Sequence, residues 1–383
     1  MIAQNYPGIL DAITPGVSFS DHLAVVGSSA DCALLARFFD SAEPPFLEEQ
    51  MRAISGFPQW GVCSGRWARA TLQRSRCDPA IPEELQYAPG TRPDGARCTI
   101  HDNMANAFGR DPATGRVYRP LDNVGVQYGL VALRAGSITL AQFLDLNESI
   151  GGHDSDGEIV SARTVADPQA LRAAYQGGRL NTGAGSLGWI PIIDYRPYLD
   201  PEADIHDSYR SFVTWARIAE RTGGRTDHFV MLRTPARPRE ADGRRAPPPF
   251  DPVRLADQWL TDLSADRSTD DRATRVRRAR PDALSDGCYT EAGEKIEEPV
   301  TEDPESRCNT LYPPYGDPRI AAGAPLTDDV LKCQLRPIDP ADYPSGLSPT
   351  DRARLERIFP EGVCNYAVPG VAQGGEPEPW LRY

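Results

Sequence analysis

The chain has 383 residues, 40% of them hydrophobic and 25% charged, enough for one large domain with insertions or for two or three average ones. Its formal charge of −13, from 41 basic against 54 acidic side chains, opposes binding to phosphate backbones and so excludes nucleic acid as an expected partner. No run approaches the ~18 apolar residues of a membrane span and no signal-peptide pattern opens the chain, so no membrane partner is expected.

In chain order, Met1–Gln4 reads as the end of an amphipathic helix without a cap, followed by a short apolar strand, ILDAIT. ADCALLARFFDS (30–41) has helical spacing. Residues 55–120 are rich in turns and hold three cysteines, which predicts a cystine-pinned insertion. Two helices are predicted within 123–152, separated by AGS, with Ser137 or Thr139 as the cap of the second. DPQALRAAYQGG (167–178) opens on Asp-Pro and closes on Gly, the start and stop of a helix.

WIPIIDY (189–195) is the clearest strand. A helix over 204–224 follows, capped by Asp204 or Asp207 and stopped by Gly-Gly, and then a second buried strand, DHFVMLR (227–233). Strand, helix, strand predicts a βαβ unit and a parallel sheet. After a loop over 235–252 comes one more amphipathic helix, and the Pro-rich remainder reads as a wrap-around tail. TRVRRARP (274–281), set among Asp residues, reads as a solvated basic face.

The cysteines are Cys32, Cys63, Cys77, Cys98, Cys288, Cys308, Cys333 and Cys364. None has zinc or redox spacing, and an even count in Pro- and Gly-rich sequence points to four disulfides and an oxidising compartment, secreted or periplasmic. Local pairing suggests 63–77, 288–308 and 333–364, leaving 32–98, a connectivity that sequence alone leaves open.

QNYPGILDAITPGVSF resembles the segment after the nucleophile elbow of tannase and feruloyl esterase-like α/β-hydrolases, and IIDYRPYLDPEADIHDSYRSF resembles their acid-bearing loop. FVMLRTPA and FPEGVCNYAVPGV resemble their next strand and their C-terminal cystine segment. RPLDNVGVQYGL, QFLDLNESIGG and IIDYRPYLD look like an allied family of uncharacterised secreted proteins, a domain of unknown function. The resemblance implies a partial α/β-hydrolase-like parallel sheet with a helical lid insertion and a cystine-pinned Pro-rich tail. Residues 1–54 and 181–265 would be core, 55–180 lid, and 266–383 tail. It implies hydrolysis of small or polymeric esters by a serine mechanism, with signal peptide, oxyanion loop and nucleophile elbow upstream. On that reading the chain is the C-terminal part of such an enzyme, inactive without its missing N-terminal half. The alternative is a non-catalytic, disulfide-stabilised binding module with a vestigial hydrolase sheet.

A serine hydrolase needs a base to take the hydroxyl proton and an acid to orient that base. Asp200, in LDP, matches the family's acid position, and Asp194, within the strand, reads as a buried network member. The family pattern puts a histidine just after FVMLRTPA, where this chain has RPRE. His206, between Asp204 and Asp207, is therefore the expected base. His22, in FSDHL, is the alternative, and His228 reads as structural.

For the nucleophile, GVCSG (61–65) has the wrong order, and Ser186 in AGSLG lacks the strand before and helix after it that an elbow needs. Asp154 and Asp156 in HDSDGE form only a fragment of a calcium loop and read as a polar turn. Trp189, Tyr195, Tyr198, Tyr209 and Trp215 are candidates to line an aromatic pocket. No cofactor is expected.

Overall fold

A computed structural model describes all residues except 70–76, 89, 203, 237–246, 345–346, 376 and 379–383. The RPRE segment, where the family pattern puts a histidine, lies outside the described residues. The strands are β1 (Gly152–His153), β2 (Ile159–Val160), β3 (Ile192–Pro197), β4 (Phe229–Thr234), β5 (Gly287–Tyr289), β6 (Lys295–Glu297), β7 (Gln334–Arg336) and β8 (Val363–Asn365). The helices are α1 (Ile2–Asn5), α2 (His22–Ser41), α3 (Glu48–Ser55), α4 (Ala105–Phe108), α5 (Leu130–Arg134), α6 (Leu140–Ser149) and α7 (Pro168–Gln176), then α8 (Tyr209–Thr222), α9 (Pro252–Ala265), α10 (Arg272–Arg278), α11 (Arg307–Leu311), α12 (Pro318–Ala321) and α13 (Pro349–Ile358). Contacts divide the chain into two compact units, one of residues 1–21, 180–315 and 376–383, the other of 22–179 and 316–375.

The first unit is built on a four-stranded sheet of order β3-β4-β5-β6. β3 and β4 pair in parallel from Ile192↔Phe229 to Pro197↔Thr234, with α8 as the crossover. Every residue of β4 is buried, as expected of a strand covered on both faces. Ile193, Val230 and Leu232 meet Trp259 and Leu263 of α9 and Val276 of α10 in one apolar cluster. Trp259 donates its ring N–H to Val276 O at 2.7 Å, so the burial of a large ring leaves no polar atom stranded. The predicted βαβ unit is present. β5 then joins β4 in parallel and turns back antiparallel as β6, pinned by Cys288–Cys308. At Gly287, φ is +149° and a Cβ would lie 2.0 Å from Ile296 O, which restricts this crossing to glycine.

The expected strand ILDAIT is corrected. Ile9 is exposed, and only Ile13 and Gly16 bridge β3, opposite Ile192 and Tyr195. Pro15 lacks an N–H and breaks the ladder, although its carbonyl takes Tyr195 N at 3.0 Å. The expected cap of α8 is corrected too. The helix begins after Ser208, whose hydroxyl and N–H both go to Asp200.

In the second unit, α2 is long, and its mean hydropathy of 1.2 meets the length and composition of a membrane span, contrary to the expectation that no run approaches one. Its apolar residues are spent inside the protein: 61% of that window is buried, including Leu34 and Leu35. Asp31 on the same helix is buried among Tyr128, whose hydroxyl donates at 2.6 Å, and Arg319, which reaches it through Nε and, at 3.1 Å, Nη2. Arg319 Nη2 also meets Asp122 O at 2.6 Å, and Lys332 pairs with the Asp122 carboxylate at 2.5 Å. Thr139 caps α6 with a reciprocal Gln142 contact, as one of the two caps expected there.

The disulfides Cys288–Cys308 and Cys333–Cys364 match the suggested pairing; the other two do not. Cys32 bonds Cys63 and Cys77 bonds Cys98, correcting 32–98 and 63–77. Cys63 sits on a helical turn, Val62–Trp67, that packs on α2 and brings its Cα within 5.1 Å of that of Cys32. Helix packing, not loop length, sets which cysteines meet here. Closing a 31-residue loop restricts the unfolded chain, so Cys32→Ala/Cys63→Ala is expected to lower stability by about 2–5 kcal/mol, read as a fall in the urea midpoint.

Candidate active site

The carboxyl ends of β3 and the start of α8 carry the titratable groups named from sequence. Arg196 on β3 donates Nε to Ser211 Oγ at 2.9 Å and Nη2 to Ser18 O at 2.6 Å. The second bond ties the segment before α2 to the strand end and sets Phe19 beside His206, ring centroids 5.3 Å apart. The Arg210 guanidinium lies over the other partner rings, 5.5 Å from the centroid of Phe19 and 4.3 Å from that of Tyr209.

His206 is held by Asp204. One carboxylate oxygen takes the His206 backbone N–H at 3.1 Å and faces ring Nδ1 at 2.6 Å. A carboxylate only accepts, so Nδ1 carries the proton and Nε2 is left as the basic nitrogen. The His206 side chain is 35% exposed, so that nitrogen sits on an accessible ring. A short local turn thus builds a base and its orienting acid from residues two apart.

Asp200 is placed differently. It is buried and accepts Ser208 N at 2.9 Å and Ser208 Oγ at 3.0 Å, bracing the start of α8. Burial pushes its carboxyl up to about 6, against the pull of the Ser208 contacts and Arg196. Burial likewise raises Asp194 inside β3, with Arg196 and the Ser211 hydroxyl opposing, and holds Asp207 well above the carboxylate range beside Arg210, whose Nε is 3.8 Å away. These three are buried acids in a guanidinium-rich interior, and the hydrogen bond to His206 Nδ1 comes from Asp204.

Asp286 in the same unit is also held at about 6 by burial while accepting Met231 N at 2.7 Å. A carboxyl raised in the folded state binds protons that the unfolded chain has already released. Asp200 therefore favours folding below about pH 4, and that contribution is lost as pH rises to 6. Asp200→Asn keeps an acceptor for Ser208 and removes the titration. It is expected to raise the urea midpoint at pH 7 by the equivalent of about 1–3 kcal/mol relative to pH 4, and an unchanged pH profile would count against the assignment.

The remaining candidates lie elsewhere. Ser186 is fully buried, and its Oγ takes Gly8 N at 3.3 Å. Its turn, Gly185–Gly188, approaches Thr222, where a Cβ on Gly188 would lie 3.5 Å from the methyl. That is the far end of α8, about 20 Å from the His206 end by helix rise, so Ser186 and His206 are not brought together. His228 belongs to that far edge, with Nε2 2.7 Å from Leu187 O. His22 is not in a loop but opens α2 in the second unit.

Ser64 of GVCSG donates to Trp60 O at 3.3 Å, beside the Cys32–Cys63 bond. Asp154 Oδ1 accepts the N–H of Asp156 at 2.8 Å and of Glu158 at 3.0 Å, and Asp156 pairs with Arg97 at 2.7 Å, so both carboxylates serve a polar turn. Among the described residues, no three His, Cys, Asp or Glu side chains are grouped to hold a metal ion.

Of the aromatic candidates, Tyr209 lies under Arg210 beside Phe19, and three others have separate partners. Tyr198 packs on Tyr312 and donates to Pro313 O at 3.0 Å, Tyr195 packs on Phe250, and Trp189 lies under Arg272. Phe19 and Arg210 were missed. Arg210 had a sequence signal in its nearness to the acid loop, whereas Phe19 had none, because a fold-level bond from Arg196 to Ser18 sets its place.

Comparison with curated proteins gives no match, and neither does comparison with solved structures. A family model described as a tannase-like family of unknown function matches residues 1–375. The chain belongs to that family.

Proposed function

We propose that this chain provides the acid–base part of a secreted carboxylic ester hydrolase, with His206 as the base and Asp204 as its orienting acid. The observation that carries this is the 2.6 Å contact between His206 Nδ1 and Asp204, on a partly exposed ring after the carboxyl end of a parallel strand, where α/β sites form. Membership of a tannase-like family and a mixed α/β sheet support a hydrolase-like fold and ester chemistry on a small or polymeric substrate. Four disulfides support an oxidising compartment.

In this mechanism a serine hydroxyl gives its proton to Nε2 as it attacks the ester carbonyl, and the imidazolium, steadied by Asp204, passes that proton to the departing alcohol. Water then repeats the sequence on the acyl-enzyme. Ser186 does not serve, since it is buried at the opposite end of α8, and in this proposal the nucleophile is supplied by a segment outside residues 1–383. The expected result with p-nitrophenyl acetate is no acyl-enzyme burst and no turnover above background from residues 1–383. Turnover that Ser186→Ala abolishes would overturn this reading.

The second reading, a disulfide-stabilised binding module with a vestigial hydrolase sheet, is favoured by Asp200. The family-matched acid is buried and committed to Ser208. Fusing a segment that carries a serine elbow discriminates the two: the hydrolase reading expects ester turnover, and the binding reading expects none.

A further inference from the structure

The second unit contains a small cleft of ≈ 40 Å³ whose apolar wall includes Leu23, Val26, Leu121 and Val330. Four polar side chains also line it: His101, Asp317, Arg319 and Asp328. Two of the charges are accounted for. Asp317 takes Ser28 Oγ at 3.1 Å and the N–H groups of Arg319 and Ile320 at 2.9 and 3.0 Å, and Arg319 holds Asp31. His101 differs. It is 3% exposed, and its Nδ1, closed to solvent, has no hydrogen-bond partner among the described residues. A buried polar group left unpaired costs about 1–3 kcal/mol, so an imidazole with an unpaired nitrogen among the cleft's lining residues points to a group that enters the cleft and meets the ring.

We propose that this cleft binds a small uncharged molecule with an aliphatic body and one hydroxyl group, the hydroxyl pairing with the His101 imidazole. An anion would meet Asp317 and Asp328 on the walls, and a cation would meet Arg319, so neither charge is favoured. Burial, with Arg119, His153 and His22 nearby, pulls His101 down to about 3 and keeps the ring neutral. A neutral imidazole has one donor and one acceptor nitrogen, and a hydroxyl, which both donates and accepts, satisfies whichever faces it. The apolar wall covers the rest of the ligand, in keeping with pockets that combine apolar lining with a few convergent polar groups.

The test uses the whole chain with 15N-labelled histidine, titrated with 1-hexanol and followed by NMR. A saturable shift of the His101 ring signal is expected, and hexanoate and hexylammonium are expected to bind at least about tenfold more weakly. His101→Phe, which removes no hydrogen bond to its Nδ1, is expected to weaken 1-hexanol about 5–10-fold, the worth of one hydrogen bond. Val330→Trp, which fills the cleft without touching the imidazole, is expected to abolish the shift, and it decides the matter should His101→Phe fail to fold. No saturable shift, equal affinity in His101→Phe, or a charged analogue binding as well as the alcohol would overturn the proposal. None of these readouts involves ester turnover, so failure here is separable from failure of the hydrolase reading.

Discussion

Arg319→Met is expected to lower folding stability by about 3–5 kcal/mol, the cost of stranding a buried carboxylate. Asp31 is almost completely buried on α2, and its two oxygens are shared between the Tyr128 hydroxyl and the Arg319 guanidinium. Burial and the neighbouring Asp31 charge push the Tyr128 hydroxyl far above its usual range, so it remains a neutral donor and cannot replace the lost cation. Asp122 O also loses its bond to Nη2. The urea midpoint measures the loss. Adding Asp31→Asn to Arg319→Met removes the stranded charge while keeping an acceptor for Tyr128, and is expected to restore at least half of it. A fall of less than about 1 kcal/mol in the single variant would show that the network contributes little.

The second large effect concerns turnover. In a polypeptide that joins this chain to a serine elbow, His206→Ala is expected to lower kcat for an ester by roughly 10³–10⁴. Asp204→Asn is expected to act almost as strongly, because an amide can present its N–H to Nδ1 and favour the tautomer with the proton on Nε2. Asp200→Ala should lower stability through the loss of the Ser208 contacts, while kcat in the folded fraction falls less than tenfold. Rates normalised to folded protein at several urea concentrations separate these outcomes. An Asp200 effect on kcat equal to that of Asp204 would return the acid role to the family-matched position.

The βαβ unit was legible because its signals are local. IPIID and HFVML are short, apolar and rich in β-branched or large residues, and the amphipathic stretch between them ends on Gly223 and Gly224. The Asp204–His206 pair was legible for the same reason, since two residues of sequence bring them together. The break at Pro15 and the start of α8 at Ser208 were misplaced because each is settled by a partner elsewhere, β3 in one case and Asp200 in the other. α2 begins eight residues earlier than its periodicity suggested: VVGSS is a poor helical sequence, and its hydroxyls bond back to Ala24 O and Val25 O inside a packed environment. The Cys32–Cys63 bond and the Asp31–Arg319 pair were hidden for a further reason. Neither charge nor thiol carries information about which distant partner a helix packing will deliver.

The arginine that neutralises Asp31 lies 288 residues further along the chain, and the lysine that pairs with Asp122 lies 210 residues beyond it. During synthesis, α2 and the segment around Asp122 emerge long before either cation exists. The second unit therefore cannot close its buried charges until residues 319 and 332 have been made, and a nascent chain halted before residue 319 holds an apolar helix with an uncompensated carboxylate on its inner face. Such a product has exposed hydrophobic surface and should depend on chaperones. Cys333 and Cys364 arrive beyond that cation, so their bond is expected to form last of the three in the unit, as the seal on a core whose long helix waited for a distant charge.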